Sequence, residues 1–201
     1  HLKLCLISAK EMVQSTICGI CIKVTISFKK GEQMNKNLKK LILAAIFAGI
    51  SVVGSMVSIP VFGAKCAPVQ HIINIMCPIF LGPWYGLGCA FVASLIRNLV
   101  GLGTLLAFPG SMCGVLLSGL LYKYIKKRWA AYGGEVFGTA VIGGLLAFPL
   151  ASLIMGNAEA TLFTYVVPFL ISTGGGTIIA IIIIEILAGS GVLKRLQSML
   201  E

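Results

Sequence analysis

The sequence predicts an all-α membrane protein, a bundle of six transmembrane helices with both termini in the cytoplasm. Hydrophobic residues make up 58% of the 201-residue chain and charged residues 11%, against about 45–50% and about 25% in a soluble domain. The mean hydropathy is +1.00. The 24 glycines fit transmembrane helices, in which glycine is frequent and allows close packing.

Six apolar segments follow a short basic stretch after residue 34, and each is interpreted as one crossing, since about 20 residues span a bilayer core of roughly 30 Å. The second segment is short and contains Pro78, so a kinked or partly inserted helix is expected there. The fourth follows a Phe108-Pro109-Gly110 breaker. The segments are residues 41–59, 71–81, 84–102, 111–124, 136–154 and 165–188.

The chain is predicted to consist of two parts, a leader and a membrane domain. Residues 34–201 are predicted to form a single membrane domain, and residues 1–33 are expected to be a disordered, non-native leader. The reason is that Lys30-Gly31-Glu32 can be encoded by a ribosome-binding sequence, which makes Met34 the expected start. The net charge of +10 is not interleaved with aromatic residues along a soluble face, so nucleic acid is not expected as a partner.

The distribution of Lys and Arg predicts the orientation. Cytoplasmic loops carry an excess of positive charge, and an even number of crossings puts nearly every cation after Met34 on that side. The expected cytoplasmic cations are Lys36, Lys39, Lys40, Lys123, Lys126, Lys127, Arg128, Lys194 and Arg195.

Several chemistries are absent from the sequence. The chain has six Glu and no Asp, which argues against Mg²⁺ held by aspartates in the membrane. No phosphate-binding or dinucleotide fingerprint is present. The seven cysteines are interpreted as small apolar residues. Neither a metal nor a cofactor is expected.

The scarce polar side chains fall at one predicted depth, on the extracytoplasmic side. We expect them to form a ligand pocket, and Gln70, His71 and Asn74 can share a helical face. Arg97 could instead snorkel to the interface, His71 could be a satisfied core residue, and Asn157 could be a solvated loop residue. The candidate ligand-binding residues are Lys65, Gln70, His71, Asn74, Arg97, Asn98, Ser111, Asn157 and Tyr165.

Small residues mark the first helix. Ala44 and Ala48, and likewise Ala45 and Gly49, lie one turn apart. Such seams allow close contact between helices in lipid, so a helix contact is expected here.

The chain resembles the substrate-binding (S) components of energy-coupling factor (ECF) vitamin transporters. The resemblance rests on about six helices, the alanine seam and the polar pocket. The stretches Ala64-Lys65-x-x-Pro68-x-Gln70-His71-x-x-Asn74 and Leu81-Gly82-Pro83-Trp84-Tyr85-Gly86 are similar to the thiazole-type (ThiW) branch.

The resemblance implies a function. A member of this branch captures the thiamin precursor hydroxyethylthiazole, a small neutral heteroaromatic alcohol, at the bacterial cytoplasmic membrane. It implies a transmembrane coupling protein that contacts Ala44, Ala45 and Ala48, and two cytoplasmic ATPases that drive release inward.

Two alternatives stay open. An S component for hydroxymethylpyrimidine, thiamin or riboflavin would need a roomier or more aromatic pocket, while the outer segments offer chiefly Phe108, Phe163 and Tyr165. An intramembrane enzyme of the Ser–His protease type would need Ser111 or another serine placed against His71, and the residues around Ser111 do not match the Gly-x-Ser-x-Gly spacing.

Overall fold

The computed structural model describes residues 35–56, 58–61, 64–154, 161 and 163–200, with backbone alone for 59–61 and 64–66. The predicted leader, residues 1–33, lies outside this range. The described chain is helical apart from one short hairpin, so the prediction of a mainly helical fold is confirmed. The elements are α1 (Lys36–Gly54), β1 (Ile59–Val61), β2 (Ala64–Cys66), α2 (Pro68–Leu81), α3 (Pro83–Leu99), α4 (Ala107–Ile125), α5 (Arg128–Phe137), α6 (Gly144–Pro149), α7 (Val166–Gly189) and α8 (Val192–Leu200).

One long helical rod replaces the predicted fifth crossing. The π-helical turn Gly138–Gly143 joins α5 to α6, and a second π-helical turn, Leu150–Ile154, ends the rod. We call the whole segment the Arg128–Ile154 rod. The prediction began this helix at residue 136, whereas it begins at Arg128, directly after Lys126 turns the chain with a positive φ of 56°.

Both predicted proline breaks lie inside helices. Pro109 is the third residue of α4, where no intrahelical bond needs its missing N–H. α2 begins at Pro68 and continues through Pro78 to Leu81. The hairpin that precedes α2 was not predicted; its antiparallel strands pair Ile59 with Cys66, and Val61 with Ala64.

Short α2 is the centre of the bundle. Every residue from Val69 to Leu81 is buried, and α2 packs against α1, α3, α4, α5, α7 and α8. At its C-terminus, the Gln197 side chain of α8 donates a 3.1 Å hydrogen bond to the Ile79 carbonyl, which the helix end leaves without a partner. Polar side chains on α2 therefore face protein.

Chain direction alternates between successive packed helices, which gives the bundle two ends. The hairpin end is where α2, α4 and α7 begin. At the basic end, Lys40, Lys123 and Lys126 line one crevice. Three helices in the described residues are long and apolar enough to cross a membrane, and they are Lys36–Gly54, Arg128–Ile154 and Val166–Gly189.

Candidate functional site: a polar cavity above a buried glutamate

A buried carboxylate organises the polar interior. Glu135, on α5, is 0% exposed, and its Oε1 lies 2.9 Å from His71 Nδ1. The same oxygen accepts hydrogen bonds from Asn74 Nδ2 at 3.0 Å and from Thr139 Oγ1 at 3.1 Å. These contacts tie α2 to the Arg128–Ile154 rod and satisfy Oε1, which lipid alone could not; Oε2 is buried and has no partner among the described residues.

His71 continues this network to a third helix. Its Nε2 lies 3.1 Å from Ser172 Oγ on α7. With the Nδ1 proton directed at Glu135, the neutral ring accepts at Nε2, and Ser172 is the donor; in the charged ring both nitrogens donate. Ser172, His71 and Glu135 therefore form one chain of hydrogen bonds.

Glycines let the carboxylate fit between α4 and the rod. A Cβ at Gly114 would lie 2.5 Å from Glu135 Oε2, and one at Gly138 would lie 2.7 Å from the Cys113 carbonyl oxygen. The π-helical turn begins at this contact, as π-bulges often do at functional sites. Its Thr139 Oγ1 also lies 3.2 Å from the Gly110 carbonyl oxygen, so its single hydroxyl proton is shared between that oxygen and Glu135 Oε1. The close approach of two backbones thus holds Glu135 and Thr139 in place.

A small cavity of about 40 Å³ lies beside this network, toward the hairpin end. Ser111 closes one wall, where its hydroxyl lies 2.9 Å from Ser94 Oγ and donates to the Ala107 carbonyl at 2.6 Å. Phe169 and Pro168 supply an apolar wall. The lining residues are Ala67, Gln70, His71, Arg97, Thr104, Ala107, Gly110, Ser111, Thr139, Pro168, Phe169 and Ser172. The cavity therefore offers donors, acceptors and an aromatic face to a small molecule.

Arg97 enters the cavity from the last turn of α3 and is 2% exposed. The amides of Leu102 and Gly103 donate to its backbone carbonyl at 2.8 and 2.9 Å, so the following loop folds around it. Its Nε and Nη1 are buried and have no acceptor among the residues that the structure describes. Arg97 thus does not snorkel outward.

Of the nine candidate residues, the structure brings four together in the cavity lining and places three outside it, and the side chains of the other two are not described. Gln70, His71, Arg97 and Ser111 line the cavity. Asn74 reaches it only through Glu135.

Asn98 donates to the Ser94 carbonyl at 2.8 Å instead. Tyr165 is buried against Phe169, with ring centroids 6.4 Å apart. Lys65 belongs to β2, where only the backbone is described, and Asn157 lies outside the described residues.

Sequence reasoning missed Glu135, Thr139 and Ser172. Glu135 was not recognised as a membrane-embedded residue because the predicted fifth segment began one residue later, at residue 136. The available signal was Glu135 followed by Thr139, a polar i, i+4 pair in an apolar segment. Ser172 stands alone among apolar residues and carried no such pattern.

A second polar group lies at the basic end. Arg128 forms a two-pronged ion pair with Glu185, at 2.9 and 2.7 Å, and Tyr132 donates to Glu185 at 3.2 Å. Glu185 is thus paired within the chain and is remote from the cavity.

The alanine seam of α1 borders an open apolar groove. Ala44 and Ala48 are buried and Ala45 is exposed, and α3 forms the opposite wall. The groove lining is Leu41, Ala44, Ala45, Ala48, Trp84, Tyr85, Gly88, Cys89 and Val92.

The fold and cavity define a helical protein that encloses a small-molecule site between apolar helices. A family model described as "Thiamine-precursor transporter protein (ThiW)" matches residues 41–190, well over half of the chain. The chain therefore belongs to the ThiW family of thiamine-precursor transporter proteins, which confirms the resemblance and makes it a membrane protein. Neither a search of curated proteins nor one of solved structures finds a match.

Proposed function

We propose that the protein is the substrate-capture subunit of an ECF-type transporter and takes up hydroxyethylthiazole. The observation that carries this proposal is the cavity, in which Gln70, His71 and Arg97 face Phe169. A ring alcohol needs a few oriented polar contacts and an apolar wall, and the lining supplies both. The free volume of about 40 Å³ is below the roughly 300–1,000 Å³ of ligand pockets, so the proposal requires the walls to move apart when the ligand enters.

The proposed topology has six crossings in a bacterial cytoplasmic membrane, with both termini inside. The crevice shared by Lys40, Lys123 and Lys126 supports it, because cations gathered at one end of a bundle mark the cytoplasmic side. The cavity then opens toward the extracytoplasmic side. α2 acts as a crossing together with the hairpin that precedes it.

The proposed coupling surface is the apolar groove between α1 and α3. Its exposed Ala45 and its neighbour Gly88 let a partner helix approach closely. A transmembrane coupling protein would lie there, and two cytoplasmic ATPases would supply the energy.

A binding panel on the purified protein tests the ligand. Calorimetry should show binding of hydroxyethylthiazole, and weaker or no binding of hydroxymethylpyrimidine, thiamin and riboflavin. His71→Ala should weaken binding because it removes the contact to Ser172, and Asn74→Ala should weaken it through Glu135. The matched control is Asn37→Ala, an exposed residue of α1. A preference for another compound of the panel would replace the thiazole as substrate.

One observation favours a second function. Ser172, His71 and Glu135 are bonded in the order of a serine hydrolase triad. Against it, Ser172 lies inside α7, where backbone amides bond within the helix and cannot stabilise an oxyanion. A fluorophosphonate probe should therefore leave the protein unlabelled; labelling that Ser172→Ala removes would establish the enzyme.

A further inference from the structure

Arg97 is the exception to the pairing of charges in the described interior. Glu135 binds three partners, and Glu185 is bonded to Arg128 at the basic end. Arg97 has two buried nitrogens without an acceptor among the described residues. A buried charge that lacks a partner destabilises a protein far more than a paired one.

Among the described residues, no carboxylate lines the cavity beside Arg97 as a counterion. Of the described titratable side chains, His71 lines the same cavity, and its Nδ1 is already engaged by Glu135. The other lining groups are amides, hydroxyls and apolar side chains. A guanidinium has five N–H donors and no acceptor, and an oxygen of a bound ligand would supply the acceptor that Nε and Nη1 lack among the described residues.

We propose that Arg97 determines the specificity of the cavity by donating hydrogen bonds to an oxygen of the bound ligand. This inference rests on the proposed function and deepens it: the hydroxyl oxygen of the thiazole alcohol faces Arg97, and the ring lies against Phe169 and Pro168. Arg97 is the single described cation of the lining, which suits a neutral hydroxyl better than a phosphate dianion, which usually binds several donors.

The test compares two thiazoles that differ by one oxygen. Hydroxyethylthiazole and its deoxy analogue, 4-methyl-5-ethylthiazole, are titrated calorimetrically into the wild type, Arg97→Met and Arg97→Lys. The wild type should prefer the alcohol about 10- to 100-fold, the effect of one hydrogen bond to a charged group. Arg97→Met should bind both compounds with the low affinity of the deoxy analogue, and Arg97→Lys should keep part of the preference.

The control is Arg195→Met, which removes an exposed cation of α8 and should keep the full preference. An undiminished preference for the alcohol in Arg97→Met would overturn the inference and leave the proposed function standing. Tighter binding of the phosphate ester than of the alcohol, abolished in Arg97→Met, would support the role of Arg97 and change the substrate.

A second measurement needs no ligand. Because the substitution removes an unpaired buried charge, ligand-free Arg97→Met should melt at or above the wild-type temperature. A clear fall in melting temperature, with Arg195→Met unchanged, would show a structural partner of Arg97 and refute the inference. If the wild type binds neither thiazole and Arg97→Met is at least as stable as the wild type, the proposed function fails. The inference that Arg97 binds an oxygen of a ligand would then stand, with a different ligand.

Discussion

Three side chains contact one oxygen of Glu135, so its substitution is the sharpest test of the interior network. Glu135→Gln keeps the size of the side chain and one oxygen that can take the place of Oε1. The new amide NH₂ then takes the place of Oε2, beside Gly114. Glu135→Leu removes every acceptor while its volume stays similar.

The contacts set the magnitudes. Three groups approach Oε1, from His71, Asn74 and Thr139. A hydrogen bond to a charged group contributes about 1.5–3 kcal/mol and a neutral one about 0.5–1.5. The Gln variant should therefore lose about 1–3 kcal/mol of stability. The Leu variant leaves the donors of His71 and Asn74 unsatisfied, at about 1–3 kcal/mol each, while Thr139 keeps the Gly110 carbonyl. It should therefore lose about 2–6 kcal/mol and accumulate poorly as folded protein.

Melting temperature in detergent and calorimetric affinity for the thiazole alcohol measure these effects. Glu135→Gln should fold and bind about tenfold more weakly, since a 1.4 kcal/mol loss is a factor of ten and His71 loses its charged partner. The matched control is Glu185→Gln at the exposed pair with Arg128, where the expected loss is about 0–1 kcal/mol. Wild-type stability and affinity in Glu135→Leu would refute the reasoning.

Two further substitutions test the packing and the coupling surface. Gly114→Ala should lower the melting temperature and the affinity, because its Cβ would lie 2.5 Å from Glu135 Oε2. The control Gly133→Ala, whose Cβ would have nothing within 4 Å, should be neutral or stabilising by up to about 1 kcal/mol. Equal effects of the two substitutions would contradict the close approach at Gly114. Ala45→Trp should abolish thiazole uptake by cells while the purified subunit still binds ligand. The control Val53→Trp, on the exposed surface of α1 outside the groove, should leave uptake and binding intact. Uptake that survives Ala45→Trp would exclude the groove as the coupling surface.

The sequence predicted the region of the cavity because membrane-embedded polar residues are costly and therefore informative. Gln70, His71, Arg97 and Ser111 were recognisable individually, since each interrupts or borders an apolar segment. Their convergence followed from alternating helix direction, which needs no side-chain detail. Asn98 and Tyr165 have the same signal as these residues, but their side chains turn to the Ser94 carbonyl and to Phe169.

The depth of the site could not be predicted, because it depends on unequal helix lengths. α2 has 14 residues and is about 21 Å long, whereas the 27-residue rod is about 40 Å long at 1.5 Å per residue. His71, near the start of α2, therefore reaches Glu135 well inside the bundle. Hydropathy alone placed His71 at the mouth and excluded Glu135 from the helix that contains it.

The free-energy cost of each buried polar group connects the fold to the function. Glycine contacts between α4 and the rod bring Glu135 close enough to satisfy Asn74 and His71 through Oε1, while its Oε2 has no partner among the described residues. Arg97 lines the cavity beside this network, but no oxygen of the network accepts a hydrogen bond from its buried Nε or Nη1. A buried cation without an acceptor lowers the stability of the folded state, and selection retains such destabilising residues where binding requires them. The Glu135 network therefore fixes His71 and Thr139 in the cavity wall, and the proposed ligand oxygen would supply the acceptor that Arg97 lacks among the described residues.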